Sequence, residues 1–574
     1  MNYRDTYELW LNSPYVDSNT KEELLSIKND DNQIKERFYK NLEFGTAGLR
    51  GVIAAGTNRM NIYTVRKATQ GLCEDIKKLG KQAMDAGVVI AYDCRHKSEI
   101  FARESARVLA ANGIKTYLFD ELRPTPELSF AVRYLNAVRG IVITASHNPK
   151  EYNGYKAYGE DGGQLPPSSS DYIVSIMDSI DIFTDVLVMD EDEAIKKGLI
   201  NIIGEEVDKA YLDNVFEQSI NIEPIKRLND FSIIYSPFHG TGNKLVRKIL
   251  SMIGVKDVRV VKKQELPDPD FSTVKSPNPE EKEGFKYAIE MAKEKSADLI
   301  FATDPDSDRI GIVVKDSNGD YITLNGNQVG VLLTEYILRN KKELGTLSNK
   351  GVIIKTIVTT SMICPIADEY NVEVMDVLTG FKFIAEKIKD FEDNNYYKDY
   401  IFGFEESYGY LAGTYARDKD AVVAAMLIAE MAADYKEKGL TLYEGLNSLY
   451  EKYGYFFEIS KSYAFEGIDG AQKMSDIMEK FRKSDINEIA GVKVISKMDV
   501  QEGIITYTGC SKSEKIDLPK SNVLKFNLDN NSWIAIRPSG TEPKIKFYFG
   551  VCENTMELAK EKADNYISEI NKYM

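Results

Sequence analysis

The sequence predicts an α/β protein of several units, closed at its C-terminal end by a smaller α+β unit. Three observations carry this reading. A short β-rich apolar run, a polar loop holding Gly, Pro or Asp, and a helix-like segment recur along the chain. At 574 residues the chain exceeds what one hydrophobic core holds, and about three or four units are expected. Near the end the rhythm changes to two alternating strand patterns around a Gly/Pro loop, followed by an amphipathic helix.

In chain order the strand-and-loop stretches are VVIAYDCRHKSE from Val88, IVITASHNP from Ile141, FSIIYSPFHGTGNK from Phe231, DLIFATDPDSDR from Asp298 and YIFGFEESYG from Tyr400. Their apolar runs are rich in Val, Ile, Phe and Tyr, which suit a pleated, buried surface. NKLVRKILSMIG from Asn243 and EGFKYAIEMAKEKS from Glu283 carry apolar residues at helical spacing. Strands alternating with helices make α/β units, whose ligands sit beyond the carboxyl ends of the strands. The polar stretch near Ile203 to Asp208, DSNGD at 316–320 and EKYGY at 451–455 mark joins, so the expected units are 1–207, 208–318, 319–452 and 453–574. SWIAIRPSGTEPKIKFYFGV from Ser532 and the helix from Met556 form the α+β end. No strong sequence repeat and no low-complexity segment is visible.

A net charge of −16 argues against binding nucleic acid or a membrane surface, although a small anionic substrate needs only a locally positive pocket. Five scattered cysteines without C-x-x-C spacing fit reduced thiols. His96, His147 and His239 are too few for a histidine-rich metal centre. The N-terminal MNYRDTYELWLNS lacks a signal-peptide core, and AVVAAMLIAEMAA from Ala421 is too short to span a bilayer and contains Glu430. A cytoplasmic protein is expected.

Five loops hold residue types with chemical potential. In DPDSDR, Asp304, Asp306 and Asp308 alternate after a strand and can converge on one hard cation, with an acidic turn as the plain alternative. An EF-hand does not fit, since Arg309 and Lys315 stand where Gly and Glu are required. Few dedicated carboxylates suit Mg²⁺, and Arg309 beside them can hold a phosphate oxygen. RPSGTEPK from Arg537 offers a guanidinium fork, the Ser539 and Thr541 hydroxyls and the open backbone of Gly540; it reads as a phosphate nest or a plain hairpin turn. GFEESYG places Glu405, Glu406 and Ser407 after a strand, where carboxylates can grip vicinal hydroxyls or simply face solvent. EFGTAGLRG ends its Gly-rich turn in Arg50. His239 reads as a packed loop residue. In TASHNP, Ser146 stands beside His147, but adjacent residues of an extended chain point to opposite sides, which argues against a hydrolytic serine–base pair.

Taken together, FGTAGLRG, TASHNP, DPDSDR, GFEES and RPSGTEP resemble, in order and from end to end, the α-D-phosphohexomutase superfamily of phosphoglucomutases and phosphomannomutases. The resemblance implies four domains around a central cleft, three similar mixed α/β domains and a C-terminal α+β domain, supplying phosphoserine, metal, sugar and phosphate loops in turn. It assigns the phosphoryl group to Ser146 as phosphoserine and the Mg²⁺ to Asp304, Asp306, Asp308 and Ser146. Arg50, His147 and Lys156 would surround the phosphoserine, with Lys156 as general acid/base and Lys382 of TGFK as a further candidate. Arg309, Gly380, Glu405, Ser407, Arg537, Ser539, Gly540 and Thr541 would bind substrate. The implied enzyme is an intramolecular phosphotransferase of the isomerase class. It would interconvert α-D-glucose 1-phosphate and glucose 6-phosphate through a glucose 1,6-bisphosphate that also serves as activator, as a monomer or homodimer.

Ser407 is followed by Tyr408 and Gly409, whereas many phosphohexomutases have Gly-His there. With RDKDA from Arg417 and PDPDFSTVKSPNPE from Pro267, this resembles the branch of longer bacterial phosphoglucomutases and animal phosphopentomutases. A pentose phosphate, a mannose phosphate or glucose-1,6-bisphosphate synthesis are the alternatives it leaves open.

Overall fold

The computed structural model describes residues 2–45, 48–465, 470–510, 512–538 and 544–574. Three helices, Tyr3–Asn12, Ser18–Ser26 and Asp31–Phe38, open the chain and pack Tyr7, Trp10 and Phe38 against Tyr63 in a small cluster of their own. Asn2, Asp17 and Asp30 cap them, each accepting from backbone N–H groups of the first turn.

Three mixed sheets follow, and they share one strand order. The first runs Gly48–Val52, Tyr152–Tyr158, Arg139–Ile143, Val88–Tyr92, Thr116–Phe119, Ile200–Ile203. The second runs Tyr321–Leu324, Ile310–Lys315, Leu299–Thr303, Ser232–Ser236, Asp257–Val260. The third runs Glu373–Val377, Gly351–Thr356, Asp399–Phe404, Tyr410–Ala412. In each, a central strand pairs in parallel on both sides, and one of those neighbours turns back into an antiparallel strand. The turn-back loops are TASHNP, DPDSDR and GFEES, so three loops unlike in sequence occupy one topological position.

The central strands Val88–Tyr92, Ser232–Ser236 and Gly351–Thr356 are buried throughout, as helices cover both faces. The apolar helix Ala421–Glu437 is an internal strut between the second and third sheets. Its Glu430 carboxylate accepts from Ser219 Oγ at 2.6 Å, the Ile220 and Asn221 amides and Tyr336 Oη, which makes burial of that acid tolerable. Among the described residues no helix is long and apolar enough to cross a membrane.

The fourth sheet is antiparallel, in the order Tyr455–Ala464, Lys544–Glu553, Trp533–Pro538, Leu524–Leu528, Val492–Asp499, Ile504–Tyr507, Ser513–Lys515, with Glu488–Ile489 beside Val492–Asp499. The helices Gly470–Lys483 and Met556–Ile570 cover one face. Its other face meets the third sheet's loops through Ile357, Val358, Leu378, Val523 and Trp533.

Two sequence expectations change. The DSNGD turn closes a hairpin between Ile310–Lys315 and Tyr321–Leu324, so the latter strand is hydrogen-bonded into the second sheet and the chain leaves that sheet only after Leu324, not at 318. The TASHNP loop is not extended: Ser146 has φ +53°, the left-handed region, and the chain turns there.

Candidate active site

At the carboxyl end of Arg139–Ile143 the chain reverses, and Thr144 Oγ1 accepts from the Ser146 amide at 2.8 Å. The turn directs Ser146 Oγ to 2.9 Å from Asp304 Oδ2 and 3.1 Å from His147 Nδ1. The opposite-sides argument against a serine–histidine contact therefore fails, because the left-handed Ser146 brings both side chains to one side. The contact still does not make His147 an effective base. Burial, then the Arg309 and Arg50 charges, push its imidazolium down to about 2. A hydroxyl has one hydrogen; donated to Asp304, it leaves neutral His147 to donate to Ser146 rather than to take its proton.

The matching end of Leu299–Thr303 carries Asp304, Asp306 and Asp308, all buried, with ligand-capable oxygens within 4.8 Å of one another. Asp304 Oδ1 accepts from the Asp308 and Arg309 amides, folding the loop around that carboxylate. Oδ1 of Asp306 and of Asp308 is buried without a hydrogen-bond partner. Two orphaned carboxylate oxygens in a converging, all-oxygen set fit a hard divalent cation. Burial and the neighbouring Asp308 and Asp306 charges push the Asp304 acid well up. Asp306 moves the other way: burial would raise it, but Lys156, with Asp304 and Lys419, more than offsets that.

Lys156 projects from Tyr152–Tyr158, with Nζ 3.0 Å from Asp306 Oδ2 and 3.8 Å from Asp308 Oδ2. From the opposite side Lys419, in the RDKDA stretch of the third unit, places Nζ 2.7 Å from Asp308 Oδ2. Burial alone would lower Lys419, but Asp308, Asp418 and Glu405 raise it, so it stays a cation. Lys419 was missed as a site residue in the sequence reading; only its sequence neighbourhood was noted. Thr125, at the start of the helix Thr125–Tyr134, was missed as well, and donates to Asp306 Oδ2 at 3.0 Å.

Arg50 lies on Gly48–Val52, opposite Gly154 in register, and reaches Asn148 Oδ1 at 3.4 Å. That pairing needs glycine at 48, where φ is +151° and a Cβ would fall 1.9 Å from the Tyr155 carbonyl. Arg309 is buried, bonded to Glu280 Oε1 at 2.9 Å with its Nε unpartnered. In the third sheet's loop Glu405 is buried, and its Oε1 accepts from the Gly380 amide at 3.0 Å, Gly380 having φ +123°. Burial raises the Glu405 acid to about 7, held there against Lys419 by Glu406. Glu406 turns away to Thr356 and Thr359. Ser407 is half-buried at the loop's tip.

Lys382 lies farther out. Its Nζ stands 4.9 Å from the Phe383 ring, and burial, opposed by Glu386 and reinforced by Arg537, lowers it. The structure therefore groups it with Arg537, toward the fourth sheet, rather than with Ser146. Arg537 ends its strand beside Tyr548. Ser539, Gly540 and Thr541 lie outside the described residues. His239 is packed as expected, between the Leu266 carbonyl and Thr273 Oγ1.

The site thus gathers a serine, an acidic cation seat, two lysines and a buried glutamate at one end of three sheets. This can stabilise transfer of a highly charged group to or from Ser146.

Comparisons with known proteins agree along the chain. Profiles of the phosphoglucomutase/phosphomannomutase alpha/beta/alpha domains I, II and III match residues 41–182, 209–319 and 325–453, and that of the C-terminal domain matches 475–567. A phosphoglucomutase of Staphylococcus haemolyticus is 37% identical over 537 residues, covering 93% of this chain and 94% of its own. One from Staphylococcus aureus is 38% identical over 536 residues, covering 92% and 93%. Among solved structures, the Paramecium phosphoglucomutase parafusin in its open form superposes with TM-score 0.67 at 18% identity, over 93% of this chain and 96% of its own. A phosphoglucomutase/phosphomannomutase family protein of Burkholderia thailandensis gives 0.66 at 17%, over 92% and 97%.

Proposed function

The chain belongs to the phosphoglucomutase/phosphomannomutase family, and on that premise we propose that it interconverts α-D-glucose 1-phosphate and glucose 6-phosphate through a phosphoryl group carried on Ser146. It is a phosphohexomutase, an isomerase working by phosphoryl transfer. The observation that carries the Ser146 assignment is the 2.9 Å approach of its hydroxyl to Asp304 inside the acid cluster.

In the proposed reaction the phosphoserine P–Oγ bond breaks as a bond forms from phosphorus to the free sugar hydroxyl. The product is glucose 1,6-bisphosphate, which turns over in the cleft and returns its other phosphoryl group to Ser146. Lys156 takes the hydroxyl's proton and gives it back on the return step. Asp304, Asp306 and Asp308, with Ser146, would hold Mg²⁺. When bound, the ion supplies positive charge against the transferring group's oxygens. Lys419 and Lys156 add fixed cations beside it, and neutral His147 holds the serine oxygen by donation from Nδ1. Glu405 and Ser407, ordered through Gly380, grip sugar hydroxyls. Arg50 and Arg309 hold phosphate near the serine, while Arg537, with the loop that includes Ser539, Gly540 and Thr541, grips the non-reacting phosphate, and Lys382 guards that end.

We also assign the units as 1–207, 208–318, 319–452 and 453–574, with the second join carried past Leu324. A small sugar phosphate is the partner, glucose 1,6-bisphosphate the activator, and the cytoplasm the compartment, without nucleic acid or membrane; monomer and homodimer both suit the fold. The test is kcat/KM for glucose 1-phosphate, mannose 1-phosphate and ribose 1-phosphate side by side. Glucose 1-phosphate should lead; a strong preference for ribose 1-phosphate would replace the sugar and leave the chemistry.

A further inference from the structure

One buried arginine, outside all the residues given a role above, organises the loop that carries Ser146. Arg95 follows Val88–Tyr92, and its side chain is fully buried. Nη1 donates to the Pro149 and Tyr152 carbonyls at 2.9 and 3.1 Å, and Nη2 to the Ser146 and Asn148 carbonyls at 2.5 and 2.6 Å. Pro149 also accepts from the Tyr152 amide, but the carbonyls of Ser146 and Asn148 face the guanidinium from a turn outside any ladder. A planar, five-donor fork can serve four acceptors at once; an ammonium cannot.

The fork is itself held from three sides. Asp93 Oδ2 lies 3.2 Å from Nε, and Asp93 Oδ1 accepts from the Arg95 amide and from Ser98 Oγ. The Phe271 ring, from the second unit, stands 5.0 Å from the guanidinium carbon. Nearby, Ser276 Oγ of the same segment donates to the His147 carbonyl. Ser146 sits in a left-handed conformation that an L-residue keeps only when its surroundings over-determine it. The Thr144 bond holds its amide side and Arg95 its carbonyl side.

We infer that Arg95 is a positioning residue for the phosphoryl-carrying serine, fixing the direction of Ser146 Oγ toward the acid cluster without touching substrate. This rests on the proposed role of Ser146. A packing role alone would change stability; a positioning role changes turnover and the partition of the phosphoryl group between sugar and water.

The test compares wild type, Arg95→Lys and Phe271→Leu. Lysine keeps a cation for Asp93 but cannot span the carbonyls. Arg95→Lys should lower kcat roughly 10²-fold, the scale of about an ångström of misplacement. Its KM for glucose 1-phosphate should stay within about threefold, and phosphate on Ser146, followed by intact mass without sugar, should be lost faster to water. Phe271→Leu leaves Arg95 in place and should shift kcat and hydrolysis in the same direction by less. A folded Arg95→Lys with wild-type kcat and hydrolysis overturns the inference. If that variant does not fold, Phe271→Leu decides, and wild-type values for it overturn the inference. Wild type that never carries phosphate on Ser146 refutes the proposed reaction, and the role of Arg95 with it.

Discussion

Ser146 Oγ donates to Asp304 Oδ2 at 2.9 Å, a bond that joins the turn-back loop of the first sheet to that of the second. It places the serine at the edge of a carboxylate set in which Asp306 Oδ1 and Asp308 Oδ1 have no hydrogen-bond partner. Chelation should therefore abolish turnover, and Mg²⁺ should restore it. Asp306→Asn should lower kcat by roughly 10²–10³, the loss typical of one preorganised electrostatic partner. Full activity in chelator, measured by coupled assay, contradicts the cation seat.

Glu405 makes a pH prediction. Burial raises its acid to about 7, above the ordinary carboxylate range. It must be ionised to accept two sugar hydroxyls, so kcat/KM should rise with pH through about 7. The sugar phosphate titrates near pH 6 as well, so the diagnostic is Glu405→Gln, which should lose the upper limb and keep the lower. Stability runs the opposite way. Between roughly pH 4.3 and 7 the unfolded chain releases a proton the folded one keeps, so this group's contribution falls as pH rises. Identical profiles for wild type and Glu405→Gln contradict the assignment.

Arg309 is bonded to Glu280 at 2.9 Å, and the glutamate side chain is 38% exposed. A substrate phosphate must compete with that carboxylate for the guanidinium. A partly exposed pair is worth about 1 kcal/mol or less, so Glu280→Gln should lower KM by about twofold to fivefold with kcat little changed. A tenfold rise in KM instead means Glu280 aims Arg309 rather than competing for it.

Lys525 crosses from the fourth sheet to donate to the Ile357 carbonyl at 2.8 Å, over the Trp533 ring. Burial, then the Lys355 charge, lowers it to about 8. Below its ordinary value near 10.4 the unfolded chain binds a proton that the fold refuses, so stability should rise with pH from about 8 to 10, by on the order of 3 kcal/mol. Lys525→Met should flatten that slope in thermal melts. An unchanged slope assigns it to other groups.

Much of this was legible because the chemistry sits where a strand meets a loop, and strand-then-loop is a pattern a sequence displays. Asp304, Asp306, Asp308 and Glu405 were found that way. The shared order of the three sheets was not legible, since strands buried on both faces are apolar throughout and carry no mark of their neighbours. The Ser146–His147 contact was misjudged because nothing in TASHNP announces a left-handed serine. Lys419 was missed because its partner Asp308 lies far away in sequence. Arg95 was missed because it binds backbone carbonyls, which every sequence offers everywhere. The DSNGD turn was mistaken for a join because a hairpin turn and a linker share their composition.

The central claim is that Ser146 carries the phosphoryl group through the reaction. After incubation with glucose 1,6-bisphosphate, intact mass and peptide mapping should find one phosphoryl group, on Ser146. Stoichiometric glucose 1-phosphate should then discharge it as bisphosphate appears, and Ser146→Ala should neither take up the group nor interconvert the two glucose phosphates. A Ser146→Ala protein that interconverts them at the wild-type rate would contradict the account.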